Sequence, residues 1–193
     1  MTPADRAALL ALARAALTAH LAGCPLPSVP VTPGASLKRG AFVTLTERFG
    51  GALRGCVGHI AADRELGAVV RDMAIAAAQD DPRFVPVAPG ELTELAVEIS
   101  VLSEPARNVP PVDPARIVVG RDGVLVRRGG SAGLLLPQVA SEHHWDAETL
   151  LAAACRKADL PPAAWREPGT AVFTFQADVF GEAGDEGRGK RDE

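Results

Sequence analysis

The sequence predicts an α+β fold, with a mainly antiparallel sheet flanked by helices and a smaller β-rich subdomain. Most strand-like segments follow one another directly or through loops, which favours antiparallel pairing over an alternating strand–helix order. Two segments in the first half have the composition of long helices. A Pro-rich stretch, 105–114, then precedes a run of short strands. This stretch is the one plausible internal boundary of a domain spanning 1–180.

The two long helices have recognisable ends. Thr2 is a good N-cap, Pro3 suits the first helical position, and Gly23 is a typical stop, so the first helix begins the chain. The second helix is predicted at 65–80, an Ala-rich stretch. It should end before Pro82, because proline disfavours helical backbone at the residue that precedes it.

A hairpin is predicted between these helices. The dipeptide Gly50-Gly51 suits a two-residue turn with positive φ, and it lies between two alternating strands, 42–48 and 52–58. Such a turn would place Leu45 opposite Cys56, and it would place Glu47 opposite Arg54.

The remaining elements are shorter. Pro137 should start a helix, and Asp146 should cap another that runs to 157. No apolar residue anchors the end of the chain, so 181–193 is predicted to be a disordered tail. The predicted strands are 95–102, 117–119, 124–127, 133–136 and 171–180.

Composition excludes several classes of protein. The chain has 193 residues, 47% of them apolar, which is enough to bury a sizeable core. The longest apolar stretch, 7–23, is too short to span a bilayer, and no basic region marks a secretory signal. Three cysteines are a sparse, odd set that indicates reduced thiols in the cytoplasm. A net charge of −4 and 4% aromatic residues without Tyr argue against a nucleic-acid partner.

The segment Leu-Arg-Gly-Cys-Val-Gly, 53–58, is the most informative in the chain. Residues two apart in a strand share a face, so Arg54, Cys56 and Gly58 should point the same way. An arginine beside Cys56 would favour the thiolate, which is the form that acts as nucleophile or ligand. Gly58 would leave open space on that face. These features are what an accessible reactive thiol needs.

The same residues also allow a structural interpretation. Cys56 could be a small core residue, and Arg54 could form a cross-strand ion pair with Glu47. The glycines would then only permit close packing or a bulge. Spacing alone leaves both interpretations open.

The hexapeptide and four further motifs resemble the AMMECR domain family, also known as protein A of the AmmeMemoRadiSam system. The match covers about 41–180, and its motifs occur in the family's order. The further motifs are Asp81-Pro82-Arg83-Phe84, Ser100-Val101-Leu102, Gly-Leu-Leu-Leu-Pro-Gln-Val at 133–139, and Trp145-Asp146.

This resemblance implies a larger α/β-type unit, a smaller β-rich unit, and the cysteine hexapeptide near the cleft between them. It also implies two partners, a radical SAM protein and a Memo-like protein. A shared fold implies a site and not a reaction.

Other candidate residues would surround Cys56. His59 could be a nearby base if the strand bends after Gly58. Arg83 could hold a substrate carboxylate or phosphate, or else Asp81 and Arg83 could staple their loop. Gln138 could read a polar group at a helix start, or simply be a satisfied amide.

No ligand set with standard spacing predicts a metal, and no fingerprint identifies a cofactor, which stays unknown. His143 and His144 are adjacent and would diverge on a helix, so they cannot chelate one ion together. Cys24 and Cys155 are predicted to be packing residues.

Two hypotheses follow. The first is a cysteine-centred enzyme or small-molecule-handling protein, with Cys56, Arg54 and His59 as catalytic candidates. Its predicted substrate-binding residues are Gly55, Gly58, Asp81, Arg83 and Gln138. The second hypothesis is a non-catalytic partner or scaffold that acts with the radical SAM and Memo-like proteins.

Overall fold

The computed structural model of the chain describes residues 1–108 and 112–182. The chain divides into two compact units. The first comprises Met1–Val101 together with the residues from Asp178 onward, and the second comprises Leu102–Ala177. The division therefore falls at Leu102, ahead of the Pro-rich stretch. Two four-stranded antiparallel sheets and several helices make up the chain, which confirms the predicted α+β class.

The first two helices are long, and the other elements are shorter. The helices are α1 (Pro3–Leu21), α2 (Leu66–Gln79), α3 (Pro137–Glu142) and α4 (Ala147–Lys157). The strands are β1 (Ala41–Glu47), β2 (Leu53–His59), β3 (Leu95–Leu102), β4 (Ala106–Asn108), β5 (Gly123–Arg128), β6 (Ser131–Leu135), β7 (Ala171–Phe175) and β8 (Ala177–Gly181). Short 3-10 turns occupy Pro89–Glu94, Pro114–Arg116 and Ala164–Arg166. Among the described residues, no helix combines the length and the apolar character that crossing a bilayer requires.

The first unit packs α1 and α2 with a sheet in the order β2–β1–β3–β8. α1 begins at its predicted cap, where the Thr2 hydroxyl accepts the Asp5 N–H and the Asp5 carboxylate accepts the Thr2 N–H. α1 ends at Leu21, and Gly23 has a φ of +66°, as a helix stop requires. α2 lies against β1 and β2. The largest fully buried side chains of this core are Leu9, Leu17, Leu45, Leu66, Leu95 and Ile99.

A glycine sets the distance between α2 and the sheet. A Cβ at Gly55 would lie 2.0 Å from the carbonyl oxygen of Ala77 in α2, so no side chain fits there. Leu45, Gly55 and Val97 are paired across β1, β2 and β3, and this row faces the helical core. Since successive residues of a strand alternate, the neighbouring row through Cys56 points to the other face of the sheet.

The second unit has a sheet in the order β4–β7–β5–β6, with α4 packed on β5 and β6. Asp146 caps α4 as predicted, accepting the Thr149 N–H at 2.7 Å. Gly133 lets α4 approach, because a Cβ there would lie 2.3 Å from the Ala154 carbonyl oxygen. The core includes Leu150, Leu151, Val124, Val126, Val172 and Trp165.

The β1–β2 turn is longer than predicted. Gly50 and Gly51 have φ values of +93° and +69°, so both adopt the positive φ expected of them. The Glu47 N–H, however, donates to the Ala52 carbonyl at 2.9 Å, which closes a four-residue loop instead of a two-residue turn.

The predicted register of this hairpin is wrong as a consequence. A β-bulge at Arg54 then shifts the pairing back by one residue. Cys56 therefore lies opposite Thr44 and not Leu45, and Arg54 does not lie opposite Glu47.

Two predicted strands are also wrong. The segment 171–180 forms two strands, β7 and β8, in different sheets. They separate at Gln176, whose N–H and carbonyl are bonded to the hydroxyl and N–H of Ser103. The segment 117–119 is not a strand, because the Asp122 carboxylate accepts the Val118 N–H and closes a turn.

The end of the described chain differs from the predicted tail. Gly181 closes β8, and Glu182 accepts hydrogen bonds from Arg14, Arg48 and the Val97 N–H. The tail prediction was therefore wrong for these two residues, because an ion pair supplies an anchor where no apolar side chain does. Its remaining part, 183–193, lies outside the described residues.

Candidate functional site

Cys56 lies in β2 on the face of the sheet that points away from α2, and it is half-buried. The Thr44 hydroxyl donates to its Sγ at 3.4 Å. Thr44 pairs with Cys56 on one side and with Glu98 of β3 on the other, so these three residues form one row across the sheet. The row therefore brings a thiol, a hydroxyl and a carboxylate to one face.

The Cys56 backbone is held by a buried carboxylate. Asp81, which is 5% exposed, follows α2 and accepts the Cys56 N–H at 2.8 Å. The Arg83 guanidinium donates to Asp81 at 2.9 and 2.7 Å and lies 3.5 Å from the Cys56 carbonyl oxygen. These bonds hold the pKa of Asp81 well below its usual range, and Asp81 raises the pKa of Arg83. Asp81 and Arg83 thus bond each other within their loop, which was the structural one of their two interpretations. The pair also holds the backbone of Cys56 in place.

The expected open space beside Cys56 is absent at Gly58. Phe42 pairs with Gly58 across the strands, and its ring occupies the position of the missing side chain, 2.2 Å from where a Cβ would lie. The prediction was wrong because the glycine receives an aromatic ring from the neighbouring strand. The ring forms a wall beside the thiol row.

Arg54 is engaged differently from its predicted roles. Its guanidinium donates to both carboxylate oxygens of Glu91, at 2.9 and 3.2 Å, and to the Val85 carbonyl at 2.9 Å. This pairing lowers the pKa of Glu91. All of these contacts join β2 to the segment before β3, so the proposed ion pair with Glu47 is wrong. Among the described residues, the arginine recorded against the Cys56 backbone is Arg83.

His59 is the last residue of β2, which continues without a bend after Gly58. Its Nε2 lies 2.6 Å from the Asp63 carboxylate, and this contact lowers the pKa of Asp63. In a regular strand, residues three apart lie on opposite faces. The bend that would have brought His59 to Cys56 is therefore absent, so the structure does not bring the two together.

The other predicted residues lie elsewhere. Gln138 belongs to the second unit, where it is half-buried in the first turn of α3. Cys155 is fully buried in the core of that unit, as predicted, and desolvation raises the pKa of its thiol. Cys24 is exposed, so its prediction as a packing residue was wrong. His143 stacks on Trp145 at 4.8 Å between ring centroids. Within 1–108 and 112–182, no group of three or more His, Cys, Asp and Glu residues could hold a metal ion.

Sequence reasoning missed three contributors to the site: Thr44, Glu98 and Phe42. All three face Cys56 or its row through strand pairing, and the pairing depended on a register that a bulge altered. The alternating pattern of β1 and β3 was the available indication. With the correct register, it would have placed all three on the face of Cys56.

Comparison with known proteins agrees with the motif pattern. The family model described as AMMECR1 matches residues 10–180, nearly all of the described chain. The chain belongs to the AMMECR1 family. A relative from Methanothermobacter thermautotrophicus is 45% identical over 181 residues, covering 91% of this chain and 93% of the relative. One from Methanosarcina acetivorans is 40% identical over 195 residues and covers 97% and 96%.

The AMMECR1 fold is also seen in a solved structure. The crystal structure of the uncharacterized protein PH0010 from Pyrococcus horikoshii superposes with a TM-score of 0.89 at 39% identity. The match covers 95% of this chain and 94% of that one. Both the fold and the family are thereby established for nearly the whole chain.

Proposed function

We propose that this AMMECR1-family protein handles a small molecule through the Cys56 thiol, as an enzyme or as a ligand-binding protein. The observation that carries the proposal is the hydrogen bond of 3.4 Å from the Thr44 hydroxyl to the Sγ of Cys56, a half-buried residue. A donor aimed at sulfur stabilises the sulfur when it is negatively charged, and the thiolate is the form that attacks carbon or binds a soft ligand.

The surroundings of the thiol support the same proposal. A buried carboxylate fixes the Cys56 N–H, and the Arg83 guanidinium lies against the Cys56 carbonyl. The sulfur is thus attached to a backbone whose N–H and carbonyl are both held by the Asp81–Arg83 pair, which keeps a reacting group in a defined geometry. The roles of the other candidates change accordingly. Arg83 replaces Arg54 as the cation of the site, and Asp81 positions Cys56 instead of contacting a ligand.

The test is alkylation of the native protein with iodoacetamide, followed site by site with mass spectrometry. The chain supplies its own references, because Cys24 is exposed and Cys155 is fully buried. We expect Cys56 to be labelled in the folded protein, while Cys155 is labelled only after unfolding. A Cys56 that stays unlabelled until Cys155 reacts would mean a core residue, and the proposal would then be abandoned.

A second candidate function is a non-catalytic partner that acts with a radical SAM protein and a Memo-like protein. One observation favours it. In the first unit, the β1–β2 loop exposes 82% of Phe49, and the segment after α2 exposes 77% of Val85. Phe49 and Arg54 line the same cavity of about 290 Å³, and Arg54 binds the Val85 carbonyl. Exposed aromatic side chains beside an arginine are typical of protein interfaces.

The partner function is tested by co-purification of the full chain with each of the two proteins. We expect Phe49→Ser to reduce capture at least 10-fold, the loss expected of an interface anchor residue. Val31→Ser is the matched control, because Val31 is 99% exposed and does not line the cavity. If the wild-type chain captures neither protein, the partner function is ruled out. If both variants lose capture equally, the loss comes from adding a polar residue to the surface and not from Phe49.

A further inference from the structure

The second unit contains a cavity that neither proposed function uses. Its volume is about 550 Å³, within the range of sites for small molecules. It lies where β4 and β7 meet the 3-10 turn Pro114–Arg116 and the turn before β5. The polar side chains on its wall include Ser103, Arg107, Asn108, Arg116, Thr174 and Gln176.

The aspartates of this wall are engaged by the protein itself. Asp122 is 5% exposed, receives two guanidinium donors from Arg121 at 2.8 Å, and accepts the Val118 N–H at 2.9 Å. These bonds lower the pKa of Asp122. Asp113 accepts the Ala115 N–H at 3.0 Å and caps the 3-10 turn. The charge of Asp122 is therefore neutralised within the unit, together with that of Arg121.

Two arginines of the wall, in contrast, have no partner among the described residues. Within 1–108 and 112–182, the guanidinium groups of Arg107 and Arg116 make no hydrogen bond or ion pair. Both side chains are exposed, one at the edge strand β4 and the other at the end of the 3-10 turn. Among the described residues, the cavity therefore has two guanidinium groups without a bonding partner. They lie beside neutral donors and acceptors such as Asn108, whose side chain donates to Thr174 at 3.4 Å.

We propose that this cavity binds a small polar molecule through a single anionic group, a carboxylate or a phosphate. The planar guanidinium group matches the two oxygens of either anion, and such charge-assisted bonds are stronger than neutral ones. The carboxylates of Asp113 and Glu104 also line the cavity, so they oppose a polyanion and favour a ligand with one negative group and hydroxyl or amino substituents. The site lies wholly in the second unit, so it does not depend on the role of Cys56.

The experiment is a titration of the full-length, isotope-labelled chain with inorganic phosphate and, separately, with acetate, followed by NMR. Amide resonances of the cavity wall should shift along a saturable curve with one of the anions, and the tighter anion identifies the chemistry. We expect Arg107→Gln and Arg116→Gln each to weaken binding about 10-fold, the loss typical of one charged hydrogen bond. Arg116→Lys should fall between, because it retains the charge and loses the fork.

The control is Arg128→Gln, a half-buried arginine of the same unit that pairs with Glu167 and does not line the cavity. It should leave the binding curve unchanged, and so should Cys56→Ser. Shifts that grow linearly with both anions would overturn the proposal, as would an equal effect of the Arg128 variant. Either result would show that the arginines are only solvated surface charges. Thermal unfolding of each variant in the absence of anion checks that the unit is folded.

Discussion

At the residue scale, Cys56 depends on Asp81. One buried carboxylate accepts the backbone N–H of Cys56, the backbone N–H of Arg83 and two guanidinium donors of Arg83. Burying such a charge is costly unless every oxygen is satisfied, and here the partners satisfy it. Asp81 therefore joins the end of α2 to the strand that carries the thiol.

Replacing Asp81 by Asn should destabilise the protein by about 3 kcal/mol, because an amide turns two of its own hydrogens toward donors. Urea unfolding measures the difference. Asp80→Asn is the matched control, since the neighbouring Asp80 is exposed, and it should change stability by less than about 0.5 kcal/mol. Similar values for the two variants would mean that the Asp81 bonds do not stabilise the fold.

The same carboxylate predicts a dependence on pH. Since the pKa of Asp81 is lower in the folded protein than in the unfolded chain, its contribution is complete above the unfolded value of about 3.9. The contribution is lost as the pH falls below that value. Urea unfolding at about pH 7 and about pH 3 should therefore show a smaller gap between wild type and Asp81→Asn at the lower pH. A gap of constant size would contradict the lowered pKa of Asp81 in the folded protein.

At the scale of elements, the close approach of α2 to β2 depends on Gly55. A methyl group there would lie 2.0 Å from the Ala77 carbonyl oxygen, and a backbone atom cannot move aside as a flexible side chain can. Gly55→Ala should cost about 3 kcal/mol of stability, the upper part of the range for overpacking. Gly90→Ala is the control, because nothing lies within 4 Å of its added Cβ. Thermal unfolding compares them, and equal midpoints would show that the helix yields easily.

The elements also show what sequence patterns can and cannot predict. The caps at Thr2 and Asp146 act locally, so the sequence predicted both correctly. The register of β1 and β2 depends on a bulge at Arg54, whose side chain bonds Glu91, a residue 37 positions away. No pattern within the hairpin contains that partner. The break at Gln176 escaped prediction for the same reason, since Ser103 is 73 positions distant.

At the scale of the whole molecule, the family could be predicted from five short motifs, and the comparisons confirm it. Two of these motifs contain Cys56, Asp81 and Arg83, which the structure brings into contact, but spacing alone left the exposure of the thiol open. The motifs could not identify Thr44 or Glu98, because these residues join the row of Cys56 only through the pairing of β2 with β1 and of β1 with β3. Each of the two units has its own core and its own candidate site. The site of the first unit is the row of Cys56 and Thr44, and that of the second is the cavity lined by Arg107 and Arg116.

The central claim is that the surroundings of Cys56 make its thiol chemically available, and one measurement tests it most directly. The alkylation rates of Cys56 and Cys24 are measured in the same folded sample across neutral pH, for wild type and for Thr44→Val, which removes the hydroxyl with little change of shape. We predict that Cys56 reacts faster than Cys24 in wild type and slows about 3-fold or more in Thr44→Val, as expected for losing one hydrogen bond to sulfur. The rate at Cys24 should not change. A Cys56 that reacts more slowly than exposed Cys24 throughout, or at the same rate in both proteins, would contradict the account.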